Sequence, residues 1–145
     1  MDAQHYLSTI VAPTIAEYAT ERTSVRRAFL ACVAAFHMID YLAESKRPAT
    51  VRSQVRSECP SFILIDRVAN AFKHKSTGSK GGPIKPLKPD WVQPRPPAIF
   101  GQMVFGVSLF GDGVGGLTIS GSAGADLYSE LRNVLAYFQT RIRAK

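Results

Sequence analysis

The segment at residues 24–43 restricts the fold more than any other. Ala28, Leu30, Ala31, Cys32, Val33, Ala34, Ala35, Phe36, Met38 and Ile39 leave little room for a polar face. A helix that is apolar on most faces is stable only when other elements cover it. This segment is therefore expected to be the central helix of a bundle, and the rest of the chain must supply its neighbours. Residues 2–11 read as a helix with Tyr6, Leu7, Ile10 and Val11 on one side, interrupted by Pro13. Thr14 and Glu17 match a capping box that would restart it. A short polar helix is expected over 49–58, and Pro60 breaks it from another over 62–75.

The pattern changes at Ser76. Residues 76–98 hold six of the nine prolines and read as a long basic loop. From 99 the apolar period becomes two, with Met103, Phe105, Val107 and Leu109 on one face. A glycine-rich turn at 111–116 and a second apolar strand at 117–121 complete an expected β-hairpin over 99–121. The last helix starts near Asp126, with Leu127, Leu131, Val134, Leu135, Phe138 and Ile142 as its apolar stripe. No internal repeat is read. The expectation is a mainly α chain: one domain over 1–145, four or five helices in a bundle, and a β-hairpin before the C-terminal helix. At 145 residues there is no room for a second core.

Two cysteines, Cys32 and Cys59, exclude a disulfide scaffold and a zinc ribbon. The N-terminus lacks the basic start and apolar run of a signal peptide, and no stretch reaches the roughly 18–20 apolar residues of a membrane span. A cytoplasmic protein with reduced thiols, no cofactor and no membrane partner is expected. The net charge is +7. Lys73, Lys75, Lys80, Lys85, Lys88 and Arg95 face only Asp90 across 73–97, so most of the excess sits in one segment. Such a run attracts a polyanion such as RNA, or it simply keeps a loop solvated with Trp91 pinning it to the core. Residues 111–116 match G-x-G-x-x-G formally. A strand and not a helix follows, so the match reads as a plain turn.

Two helices carry groups capable of chemistry. On the central helix His37, Asp40, Tyr41 and Glu44 share a face at i, i+3, i+4 and i+7. They suit a buried hydrogen-bond cluster, a helix end reaching water, or two ligands of a metal completed elsewhere. On the 62–75 helix, Lys73, Asp66, Asn70, His74 and Arg67 fall within an arc of about 120°. A histidine able to exchange a proton beside a fixed guanidinium is suited to cleaving phosphodiesters. The plain alternative is the polar face that any surface helix presents.

This helix, with its Arg67, six residues and then His74, resembles the HEPN superfamily of helical bundles, whose late helix carries an Arg, four to six residues and a His. The resemblance implies RNA or nucleotide binding and metal-independent RNA cleavage. Arg67 and His74 would be the catalytic pair, with Asn70 beside them and the RNA 2′-hydroxyl as nucleophile. It also implies a homodimer that brings two such helices together. Lys73, Lys75, Lys80, Lys85 and Lys88 are the expected substrate-binding cations. The rival expectation is a non-enzymatic helical module that dimerises or binds a protein partner. A small metal enzyme using His37 and Asp40 is the third.

Overall fold

The computed structural model describes residues 1–73, 87–122 and 125–144. The chain runs α1 (Ala3–Tyr6), a π-helical turn (Leu7–Val11), α2 (Ala12–Thr20), α3 (Val25–Ala43), α4 (Pro48–Glu58) and α5 (Ser61–Lys73). A 3-10 turn (Pro89–Trp91), β1 (Val92–Arg95), β2 (Gly116–Ile119) and α6 (Leu127–Arg143) follow. Because α1 and α2 are continuous through the π-turn, the described residues form a bundle of five helical segments, with a short hairpin ahead of the last.

Helix α3 is the centre, as its composition requires. Ser24 caps it by accepting the Arg27 N–H, and Ala28, Ala31, Cys32, Ala35, Met38, Ile39 and Leu42 are buried along it. It touches α1, α2, α4, α5, α6 and β1. The small alanines let its neighbours approach closely, while large side chains from those neighbours fill the gaps. Phe29 of α3 meets Phe72 of α5 with ring centroids 4.7 Å apart. Phe62 of α5 meets Phe138 of α6 edge-on at 6.1 Å. Phe62 and Phe138 are fully buried, and each such side chain contributes about 1.5–3 kcal/mol. The Cys32 thiol lies in this core, and burial pushes its pKa well above the usual thiol value.

Pro13 does not break the first helix. Proline lacks the N–H for an i−4 bond and its ring crowds the carbonyl one turn back. The chain answers by widening the turn before it, so that the Ala12 N–H reaches the Leu7 carbonyl, five residues earlier. Thr14 is no cap either. Its hydroxyl donates back to the Ile10 carbonyl at 2.6 Å.

The hairpin also differs from the pattern read in the sequence. β1 lies inside the proline-rich stretch, pairing antiparallel with β2 in the register Val92↔Ile119 to Arg95↔Gly116. Pro94 is tolerated because, among the described residues, the sheet has two strands and each is an edge. Residues 99–109, expected as the first strand, form turns instead. Trp91 is partly exposed, and Leu87 and Val92 are the buried anchors.

The turns repeat every five residues. The carbonyls of Ile99, Val104 and Leu109 accept the N–H groups of Gln102, Val107 and Asp112 at 3.0, 3.1 and 3.0 Å. The third residue of each turn is a glycine with positive φ: +81° at Gly101, +78° at Gly106 and +80° at Gly111. An i to i+3 bond with a left-handed third residue is a type II turn, which glycine alone accommodates without strain. The second residue is Phe100, Phe105 or Phe110. The loop is closed at its base. The Ala98 N–H donates to the Asp112 carbonyl, and Arg95 pairs with the Asp112 carboxylate at 2.7 Å. Burial alone would raise the Asp112 pKa. The N–H groups of Gly115 and Val114 and the Arg95 guanidinium outweigh it and hold it below the usual value.

Candidate functional site

Helix α5 carries most of the expected catalytic residues, and the fold sends them to different neighbours. Residues 67, 70 and 73 step across the helix surface by about 60° each, so the two ends of the fan face different elements. Arg67, at one edge, reaches towards the Ser122 hydroxyl just beyond β2 at 3.4 Å. Asn70 donates to the carbonyl and the carboxylate of Asp66, at 2.8 and 2.6 Å. Lys73, at the other edge, turns to α3. Among the described residues, these hydrogen bonds of Arg67 and Asn70 go to different partners. His74, Lys75, Lys80 and Lys85 lie outside the described residues.

Asp66 is not part of an open polar face, as its place in the helical arc suggested. Its side chain is 1% exposed. The reason is on the next helix: Arg52 and Arg56, one turn apart on α4, both close over the carboxylate. Arg52 Nε donates to it at 3.0 Å and Arg56 Nε at 2.6 Å. With Asn70 as a further donor, a buried charge is satisfied on both oxygens. The Arg52 and Arg56 side chains themselves stay partly exposed. Two cations around one anion leave this corner net positive.

The central-helix cluster is drawn into the same region. Lys73 Nζ lies 2.9 Å from His37 Nε2, and His37 Nδ1 lies 3.0 Å from Asp40 Oδ2. A lysine ammonium can only donate, so Nε2 accepts and the ring proton sits on Nδ1, where it is donated to Asp40. Asp40, His37 and Lys73 form a continuous hydrogen-bonded chain across α3 and α5. Lys73 and Arg52 both stand over the Phe36 ring, at 4.5 and 4.9 Å from its centroid. Both imidazole nitrogens are engaged, and among the described residues no three His, Cys, Asp or Glu side chains converge as a metal set.

Tyr41 stacks on Tyr6 with centroids 4.0 Å apart, and the Tyr6 hydroxyl donates to the Ala34 carbonyl. Burial, then the neighbouring Tyr41 and Asp40, raise the Tyr6 pKa. A shallow pocket of about 280 Å³ opens here, lined by Tyr6, His37, Asp40 and Tyr41. Glu44 ends α3 with φ +47°. Lys88 is exposed at the start of the 3-10 turn, its ammonium 5.8 Å from the Trp91 ring centroid.

Phe36, Arg52 and Arg56 are the site residues that sequence reasoning passed over. The i, i+4 spacing of the two arginines on a short polar helix was the available signal. It became informative only once α4 was known to lie against Asp66. The chain matches no protein-family model, no curated protein and no solved structure.

Proposed function

We propose that the chain is a cytoplasmic, HEPN-like protein that binds RNA or nucleotides on the face built by α3, α4 and α5. One observation carries this reading: Lys73, the last residue of α5, joins Arg52 over Phe36 and closes the chain to His37 and Asp40. Lys73 is also the first residue of the basic run in the sequence. Cations held at fixed positions on helices bind phosphates at little entropic cost, and the His37 imidazole is hydrogen-bonded among them. Homodimerisation through α5 would double this surface. If the protein cleaves RNA, His74 would act as acid or base, Arg67 would stabilise charge on the phosphate, and the 2′-hydroxyl would attack without a metal.

The test is anisotropy of a labelled single-stranded RNA titrated with the full chain at several salt concentrations. Each neutralised phosphate contributes about −0.7 to the logarithmic salt slope. Lys73→Gln should weaken binding and flatten the slope by about that amount. Cleavage of mixed RNA in EDTA should persist in wild type, and His74→Ala should slow it about 10²–10⁴-fold. Arg67→Lys should also slow it, because the planar fork is lost. No RNA binding at low salt would refute the proposal and favour the dimerisation or protein-interaction module.

A further inference from the structure

The loop at 96–115 bears the largest apolar exposure among the described residues, and the RNA reading does not use it. Phe100, Phe105 and Phe110 are 107%, 92% and 104% exposed. A folded chain rarely leaves three large rings wholly in water, and such exposure concentrated in one loop marks an interaction surface. The rings are not there by slack. Each occupies the corner of a hydrogen-bonded type II turn, and the loop is closed at its base by Asp112.

We propose that this loop is a membrane-surface anchor: the three phenylalanines enter the headgroup region of an anionic bilayer while the basic body is held against the lipid charge. The charge distribution carries the choice of occupant. Residues 96–115 contain no Lys or Arg and one acid, Asp112. Its carboxylate is already taken by Arg95 and by the N–H groups of Val114 and Gly115. The tip therefore has no free side-chain charge to desolvate on insertion. All 18 Lys and Arg of the chain lie outside the loop, with ten of its 11 acids, so the body is net +8. Apolar insertion together with attraction of a basic body to acidic lipids is the usual two-part basis of surface binding. RNA does not fit the tip, which offers no cation. Repetition points the same way. A protein partner would need three separate pockets, whereas a bilayer interface accepts an identical ring at any position. The sequence expectation of no membrane partner rested on the lack of a spanning segment, and among the described residues no single helix is long and apolar enough to cross a membrane. Surface insertion needs no span.

The experiment is sedimentation of the full chain with vesicles of phosphatidylcholine and phosphatidylglycerol, and with phosphatidylcholine alone, at low and high salt. Wild type should bind the mixed vesicles and lose affinity as salt rises. Phe105→Ser should cost about tenfold, and the triple Phe100→Ser, Phe105→Ser, Phe110→Ser variant at least about a hundredfold. The single variant should keep the wild-type melting temperature and RNA affinity, which separates this inference from the RNA reading and guards against misfolding of the triple. Equal vesicle binding by wild type and Phe105→Ser would overturn the insertion. So would failure of wild type to bind vesicles, whether the chain stays monomeric or forms a phenylalanine-dependent dimer.

Discussion

Replacing Asp66 with Ala tests whether the carboxylate between α4 and α5 holds those helices together. The side chain is 1% exposed and accepts from Arg52, Arg56 and Asn70. Truncating one partner of a buried pair costs about 3–5 kcal/mol when the charge left behind cannot reach water. Here the two arginine side chains are 31% and 26% exposed, so both guanidiniums can rehydrate by turning outward. That places Asp66→Ala at the low end, about 3 kcal/mol. For a chain of this size it corresponds to a fall in Tm of about 6–12 °C. The assay is far-ultraviolet circular dichroism during heating, with a urea titration to check that the m-value is unchanged. The triple change Arg52→Met, Arg56→Met, Asp66→Leu is the decisive control. It replaces the whole cluster by apolar side chains and should recover at least half of the loss, because no charge is left without a partner. A Tm for Asp66→Ala within 2 °C of wild type, or a triple variant less stable than the single, would refute the reasoning.

Asp126 caps α6 and pairs with Arg22 at 2.6 Å. Burial raises its pKa, but Ser129 and Arg22 more than offset this and hold it below the usual value. A lowered folded pKa means stability that is present above the unfolded value, about 3.9, and lost as pH falls through the folded one. Asp126→Asn should therefore cost about 1 kcal/mol at pH 7, and the difference from wild type should shrink as pH falls below the unfolded value of about 3.9 and vanish once pH is below the folded one, as read by urea melts across pH. At Gly115, φ is +75° and an added Cβ would lie 2.7 Å from the Arg95 carbonyl and 2.9 Å from the Pro97 nitrogen. Gly115→Ala should lower stability by about 2–3 kcal/mol. Gly106→Ala, at φ +78° in open space, should cost only about 1–2 kcal/mol, so equal melting of the two would sink the steric argument.

The helices were legible because local chemistry and burial agree in them. Ser24 and Asp126 stand where caps belong, and the Leu127, Leu131, Val134 and Phe138 stripe faces the core. Pro13 was read by its usual effect, which a one-residue widening of the helix avoids. The strand expected over 99–109 failed because alternation was weighed above glycine spacing. Met103, Phe105, Val107 and Leu109 alternate, but the glycines at 101, 106 and 111 adopt a conformation that no strand continues through. The five-residue period was present in the sequence and went unread. The site was half legible. Lys73 and His37 were named on separate helices, and only tertiary contact joins them. Asp66 looked solvated because the arginines that bury it come from another element.

The closed base of the 96–115 loop bears on how this chain can change over evolutionary time. β1 and β2 keep their register through their own pairing and the Arg95–Asp112 clasp. Nothing in that clasp depends on how many turns the loop contains. Adding one more five-residue unit lengthens the closed segment from 20 to 25 residues, an entropic cost of about 0.2 kcal/mol. Duplication or loss of a unit is thus nearly neutral for folding, while it changes the number of rings displayed in steps of one. The bundle and its appendage are free to vary at different rates, and turn number becomes a trait that selection can adjust without redesigning the core.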